Sequence, residues 1–327
     1  MRHLFGIPIY LLAWTFLFYT VVSANEKKPE EDLMDERMSL YVQFESPQVP
    51  WFHLAAVDQY ERNIQQVRND LPKSEGSIAI QFPADYWVGP LNPDRTDTSI
   101  ESIAFFNGYG LDGNGDRLAD ATHPEDILHT MATFLGEHDS FESALMAYYD
   151  KEETVNQIVT IAKLYEQFKT IALDEHAFPI PVQHHYSYRS TWGASRGWGG
   201  RRIHEGTDLF AGYGTPIQST SYGVIEIMGW NEFGGWRVGI RDNHNSYHYF
   251  AHLSSFNKDL KEGDVVAPRT IIGYVGSSGY GKEGTSGRFP PHLHYGIYKY
   301  NGRTEWAFDP YPALRSWERE DRLNHRK

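Results

Sequence analysis

The sequence predicts a two-domain protein, an all-α N-terminal domain followed by an antiparallel β domain. Three observations carry that expectation. Between about residues 36 and 170 apolar residues recur with a helical period, as in WFHLAAVDQYERNIQQVR and ETVNQIVTIAKLYEQF. Past AFPIPVQ the texture changes to short alternating runs at hairpin spacing: VIEIMGW, WRVGIRD, SYHYFAHL, TIIGYVG and HLHYGIYKY, with NEFGG as a turn. No segment recurs at a fixed period, which excludes a solenoid.

Composition narrows the function classes. A chain of 327 residues with 40% hydrophobic residues can build two cores. Its net charge of −13 argues against nucleic acid or an anionic membrane surface as partner, because both reward basic patches. The absence of cysteine excludes disulfides, thiolate-bound metals and a Cys nucleophile. Any metal must then sit on His, Asp or Glu.

Taken from the N-terminus, residues 1–24 read as a secretory signal. A basic start precedes an apolar run from Leu4 to Val22, and Ser23-Ala24 are small enough for signal peptidase. The run is also long enough to span a bilayer, so an uncleaved anchor is the alternative and the one expected route to a membrane. Either outcome places the remainder outside the cytoplasm. Residues 25–46, charged from Glu26 to Asp32, read as a linker.

The helical domain is expected over residues 47–170. On its first helix Glu61 falls within about 20° of Leu54, on the apolar face. A carboxyl there is partly desolvated, and its pKa rises toward that of a general acid. A snorkelling or salt-bridged Glu explains the same position. Further on, Asp112, Asn114, Asp116 and Asp120 have calcium-type oxygen spacing. Arg117 stands where glycine is expected and His123 where the closing Glu is expected, and an Asx-rich turn accounts for the same residues.

The β domain is expected over residues 178–317. Its last strand holds His292 and His294, two apart and therefore on one face. With 15 histidines in the chain roughly one HxH arises by chance, so the pair needs partners. RRIHEGTDLF supplies His204 and Asp208, with Gly206 between them opposing a helix. Two imidazoles and one carboxylate make a common catalytic zinc set with a fourth position left for water. A further His252 lies in YFAHL, and His248 shares its face if the strand is regular.

The motifs HEGTD, YFAHL, IIGYVGSSGYG and PHLHYGIY resemble, in order, those of lysostaphin-type zinc metallopeptidases, which cut peptide bonds in bacterial peptidoglycan. The resemblance spans residues 178–317. It implies His204, Asp208 and His294 as zinc ligands and His292 as the base that takes a proton from the attacking water. It implies His252 as the group that stabilises the oxyanion or orients the water. Pro268-Arg269 depart from a turn that often carries glycine, away from these motifs.

Over residues 47–168, VPWFHLAAVDQYERN, IAIQFPADYW, the loop from Tyr109 to Leu135 and ALMAYY resemble segments of lytic transglycosylases. That implies a lysozyme-like fold, with Glu61 at the catalytic acid's position. The family usually has serine and a small residue after the acid, whereas Arg62-Asn63 follow here. An Arg62 beside the carboxyl is expected to hold it ionised, which favours a glycan-holding relic. The combined expectation is a zinc endopeptidase acting on peptidoglycan stem peptides, with the L-Ala–D-Glu bond implied by similarity to sporulation peptidases of endospore formers. The alternatives are a two-headed wall hydrolase with Glu61 active, and a non-catalytic peptidoglycan-binding regulator.

Overall fold

The computed structural model describes residues 30–74, 76–198 and 200–325. The expected signal or anchor, residues 1–24, lies outside the described residues. No helix among the described residues is long and apolar enough to cross a membrane.

The first half is helical: α1 (Glu30–Gln43), α2 (Trp51–Val67), α3 (Ala84–Trp87), α4 (Ile100–Phe105), α5 (Pro124–Gly136), α6 (Phe141–Tyr149) and α7 (Glu152–Phe168). Helix α1 occupies most of the segment expected to be a linker. Its charges hide an apolar stripe, since Met34, Met38 and Tyr41 are spaced by four and three and pack on the helical core. Asp58 on α2, fully buried, ties this region together. It accepts from the Tyr41 hydroxyl (2.6 Å), from Arg37 (3.0 Å) and from the Ala79 amide. Helix α2 buries Leu54, Val57 and Ile64 with Ile158, Ile161 and Leu164 of α7. Helix α6 starts at a reciprocal Ser140–Ser143 capping box and ends where Asp150 turns left-handed.

The second half is a ten-stranded sheet plus a small two-stranded one. Its strands are β1 (Tyr186–Tyr188), β2 (Ser195–Arg196), β3 (Arg202–Ile203), β4 (Thr207–Ala211), β5 (Pro216–Gln218), β6 (Gly223–Asn231), β7 (Gly235–Arg241), β8 (Ser246–Phe256), β9 (Val265–Val266), β10 (Ile271–Val275), β11 (His292–Tyr300) and β12 (Glu305–Phe308). The main path runs β1-β4-β11-β8-β7-β6-β9, and every pairing is antiparallel. Alternation sends Leu293, Tyr295, Ile297, Phe250, Val238 and Ile240 to one face as the core. The opposite face of β11, β8 and β7 is left to line a groove.

A closing helix, α8 (Tyr311–Asn324), extends past residue 317, the expected end of the β domain. Leu314 enters the β core, and Glu318 accepts from the hydroxyls of Tyr186 (2.8 Å) and Tyr188 (2.6 Å). The two halves touch directly. Val224 of β6 joins the helical core, and the Asn63 side chain donates to the Asn243 carbonyl at 2.9 Å.

Candidate active site

The register of β4 against β11 sets Asp208 opposite His294, and His204 arrives from the loop just before β4. The three side chains converge on one point. His204 Nε2 lies 3.0 Å from Asp208 Oδ1 and 2.8 Å from His294 Nδ1, and His294 Nδ1 lies 3.1 Å from the same carboxylate oxygen. Among the described residues they are the one group of three His, Cys, Asp or Glu side chains whose donor atoms could share a metal ion. Gly206 makes the approach sterically feasible. A Cβ there would come within 2.6 Å of His294 Cε1 and of the Tyr295 carbonyl.

Proton positions test whether this triangle fits a cation. The Thr191 carbonyl, 2.8 Å from His204 Nδ1, can only accept, so Nδ1 carries the proton. In the neutral ring Nε2 is then a bare lone pair, and it faces an anionic oxygen. Lone pairs facing each other at hydrogen-bond distance repel unless a positive charge sits between them, which is what a metal supplies. Burial pushes Asp208 toward protonation, but the imidazoles of His204 and His294 beside it outweigh that and hold the carboxyl well below its ordinary range. Arg196 binds the other oxygen of Asp208 and fixes the carboxylate's orientation.

Two more histidines border the triangle. His292 Nδ1 donates to the Pro290 carbonyl and His252 Nδ1 to the Ser278 carbonyl, each at 2.8 Å. Both rings thus keep Nε2 free as a proton acceptor, and their centroids are 4.8 Å apart. Burial lowers the pKa of both, well below the ordinary value for His252, so both are neutral at physiological pH.

His252 reaches the groove by an irregularity. Trp236 pairs with Leu253 and Val238 with Phe250, so Ala251 and His252 oppose Arg237 alone, in a β-bulge. His252 sits there at φ 65, in the left-handed region. The bulge corrects the expectation that His248 shares its face. His248 points into the protein, bonded to Asp242 (3.0 Å) and to the Tyr295 hydroxyl (2.7 Å).

The calcium expectation for Asp112, Asn114, Asp116 and Asp120 is not supported. Their oxygens face their own backbone: Asp112 accepts from the amides of Gly115 (2.7 Å) and Arg117 (2.9 Å). Asn114 accepts from Asp116 (2.9 Å), Asp116 from Leu118 (2.8 Å) and Asp120 from Thr122 (2.8 Å). These are Asx turns, with Arg117 at φ 73 taking the conformation glycine would.

At Glu61 the expected effect of Arg62 is overturned. Arg62 turns away to Asp58 (3.3 Å) and to the Ser77 carbonyl (2.7 Å). Glu61 instead accepts from the Tyr149 hydroxyl at 2.7 Å. Burial pushes its pKa up to about 7, the Tyr149 hydrogen bond opposes, and the charge of Asp58 adds to the rise. Tyr149 was not singled out in the sequence; ALMAYY carries no signal that its last hydroxyl meets a residue 88 positions earlier.

The groove beside the triangle encloses about 620 Å³ and is lined by Arg196, Arg202, Arg237, Tyr249, Tyr280 and Phe289 among others. The sequence reading missed the three arginines, which come from separate strands. The model of Peptidase family M23 matches residues 202–310. The chain is 54% identical over 308 residues to the L-Ala--D-Glu endopeptidase of Bacillus subtilis (strain 168), covering 93% of this chain and 94% of that one. It is 36% identical over 116 residues to lysostaphin of Staphylococcus staphylolyticus, 35% of this chain and 22% of that protein. A solved structure of the catalytic domain of lysostaphin from Staphylococcus simulans matches at 31% identity and a TM-score of 0.35, covering 43% of this chain and 99% of that one. With a relative matched along almost its entire length, this chain belongs to peptidase family M23 and is an endopeptidase.

Proposed function

We propose that the chain is a zinc-dependent endopeptidase acting outside the cytoplasm on the stem peptides of peptidoglycan, at the L-Ala–D-Glu bond. The observation that carries this reading is the triangle of His204 Nε2, Asp208 Oδ1 and His294 Nδ1 with two Nδ1-anchored histidines beside it. The bond is taken from the relative named for it. His204, Asp208 and His294 would hold the metal. Zinc bound there would polarise the scissile carbonyl and bring the pKa of a water toward ~7.

The remaining steps belong to side chains. His292 Nε2 takes the proton from the attacking water as its oxygen bonds to the L-Ala carbonyl carbon. The C–N bond then breaks, and the proton passes from His292 to the departing amine of D-Glu. Burial disfavours an imidazolium at His252, so of its two expected roles its free lone pair supports orienting the water. Mature protein incubated with intact peptidoglycan should release fragments with new D-Glu amino termini by mass spectrometry. New termini at another residue would move the bond assignment, and none at all would remove the peptidase reading in favour of a binding protein.

A second reading concerns residues 47–170, which we propose to be a lysozyme-like glycan-holding domain. Glu61 favours more than holding, because burial pushes its pKa up to about 7 and Arg62 does not contact it. Anhydro-muramyl ends in the same digest, abolished by Glu61→Gln, are the outcome that supports a two-headed hydrolase.

A further inference from the structure

We propose that Arg202 and Arg237 form a carboxylate-binding subsite in the groove, and that it holds the free carboxylate of the glutamate on the leaving side of the scissile bond. The inference rests on the endopeptidase reading above and adds what selects the substrate. Arg237 projects from the groove face of β7, opposite the bulge that carries His252, and Arg202 lies two residues before His204. Both line the groove. Both also act electrostatically on one group, the Tyr249 hydroxyl, whose pKa burial raises and the two arginines lower.

Their charges are left over. The Nε atoms of Arg202 and Arg237 are both buried without a hydrogen-bond partner. Among the described residues no carboxylate pairs with either guanidinium, in a chain of net charge −13. Glu205 lines the same groove but is exposed and pairs with neither. Arg241, on the same strand, shows what a structural arginine looks like here. Its Nε and Nη2 hold Glu226 at 3.0 and 3.1 Å, and its Nη1 holds Glu305 at 2.7 Å. Arg202 is also set directly opposite Arg196 in the β2–β3 pair. Like charges directly opposite each other are destabilising unless an anion relieves them. Asp208 does so for Arg196, whereas the guanidinium of Arg202 only rests over the Phe233 ring at 4.9 Å.

Glutamate matches that surplus. It has two carboxyls, and whichever one continues the peptide, the other remains as an anion near the scissile amide. A planar guanidinium fork takes such a group with two parallel hydrogen bonds, which an amide cannot match.

The test is calorimetric binding to zinc-loaded His292→Ala protein, in which cleavage is slow compared with a titration. The probes are L-Ala–γ-D-Glu–L-Lys with its α-carboxylate free and the same peptide with that group as a carboxamide. The carboxamide should bind roughly 10- to 100-fold more weakly, the loss of one or two charge-assisted hydrogen bonds. Adding Arg202→Gln or Arg237→Gln should weaken the carboxylate form and bring the two affinities together, with Arg237→Lys intermediate. Equal affinities before any arginine is changed would overturn the proposal, and that comparison needs no arginine variant to fold. So would a preference that survives both Gln variants. Failure of the bond assignment is separate: wall digests would then lack D-Glu amino termini while the binding preference still decides the subsite.

Discussion

Glu61→Gln tests whether the buried carboxyl of α2 is an acid at neutral pH. In the unfolded chain this side chain has the ordinary value of 4.5, and burial in the fold pushes it up to about 7. Below pH 4.5 both states are protonated and the group does not distinguish them. Between pH 4.5 and 7 the unfolded chain ionises while the folded one keeps its proton, so stability falls as pH rises. Above 7 both are ionised and the fold carries the full cost of a desolvated carboxylate. At about 1.36 kcal/mol per pH unit, the gap between 4.5 and 7 amounts to about 3 kcal/mol. The nearly isosteric Gln removes the ionisation and keeps an acceptor for the Tyr149 hydroxyl. Urea unfolding of zinc-loaded wild type and variant from pH 4.5 to 8 isolates the effect, because other titrating groups cancel in the difference. Wild type should lose about 3 kcal/mol relative to the variant across that window. Parallel profiles would mean that Glu61 is ionised in the fold and is no proton donor.

Gly206→Ala places a Cβ against His294 and the Tyr295 carbonyl, and should cost about 1–3 kcal/mol in urea unfolding and weaken zinc retention. Unchanged stability and metal content would show that the ligands do not need this close approach. Asp58→Ala leaves Arg37 buried without its carboxylate and should cost about 3–5 kcal/mol by the same assay, with α1 released from α2. A loss below about 1 kcal/mol would mean that the network is not what holds α1 in place.

The proposed metal donors are legible in the sequence because their spacing survives folding. HxGxD and HxH put ligand atoms near each other by local geometry alone, and the β4–β11 register then set Asp208 opposite His294. His252 is legible as a residue but not as a geometry, since its exposure to the groove depends on a bulge with a left-handed histidine that strict alternation does not foresee. Helix α1 reads as linker because net charge dominates its composition, although three apolar residues at helical spacing pack it on the core. The contact expected of Arg62 fails because adjacency in sequence says little about direction on a helix, where neighbours point about 100° apart. The groove arginines were illegible for a different reason: their shared surroundings are made by pairings between strands distant in the chain.

The central claim is that three side chains hold the metal and a fourth does the proton transfer. Metal content by plasma mass spectrometry, measured beside turnover on peptidoglycan, tests it most directly. One zinc per chain is expected in the wild type. His204→Ala, Asp208→Ala and His294→Ala should each lose zinc and activity together. His292→Ala should keep most of its zinc while turnover falls roughly 100- to 10,000-fold, the range for loss of a general base. Full zinc retention in His294→Ala, or wild-type turnover in His292→Ala, would contradict the account.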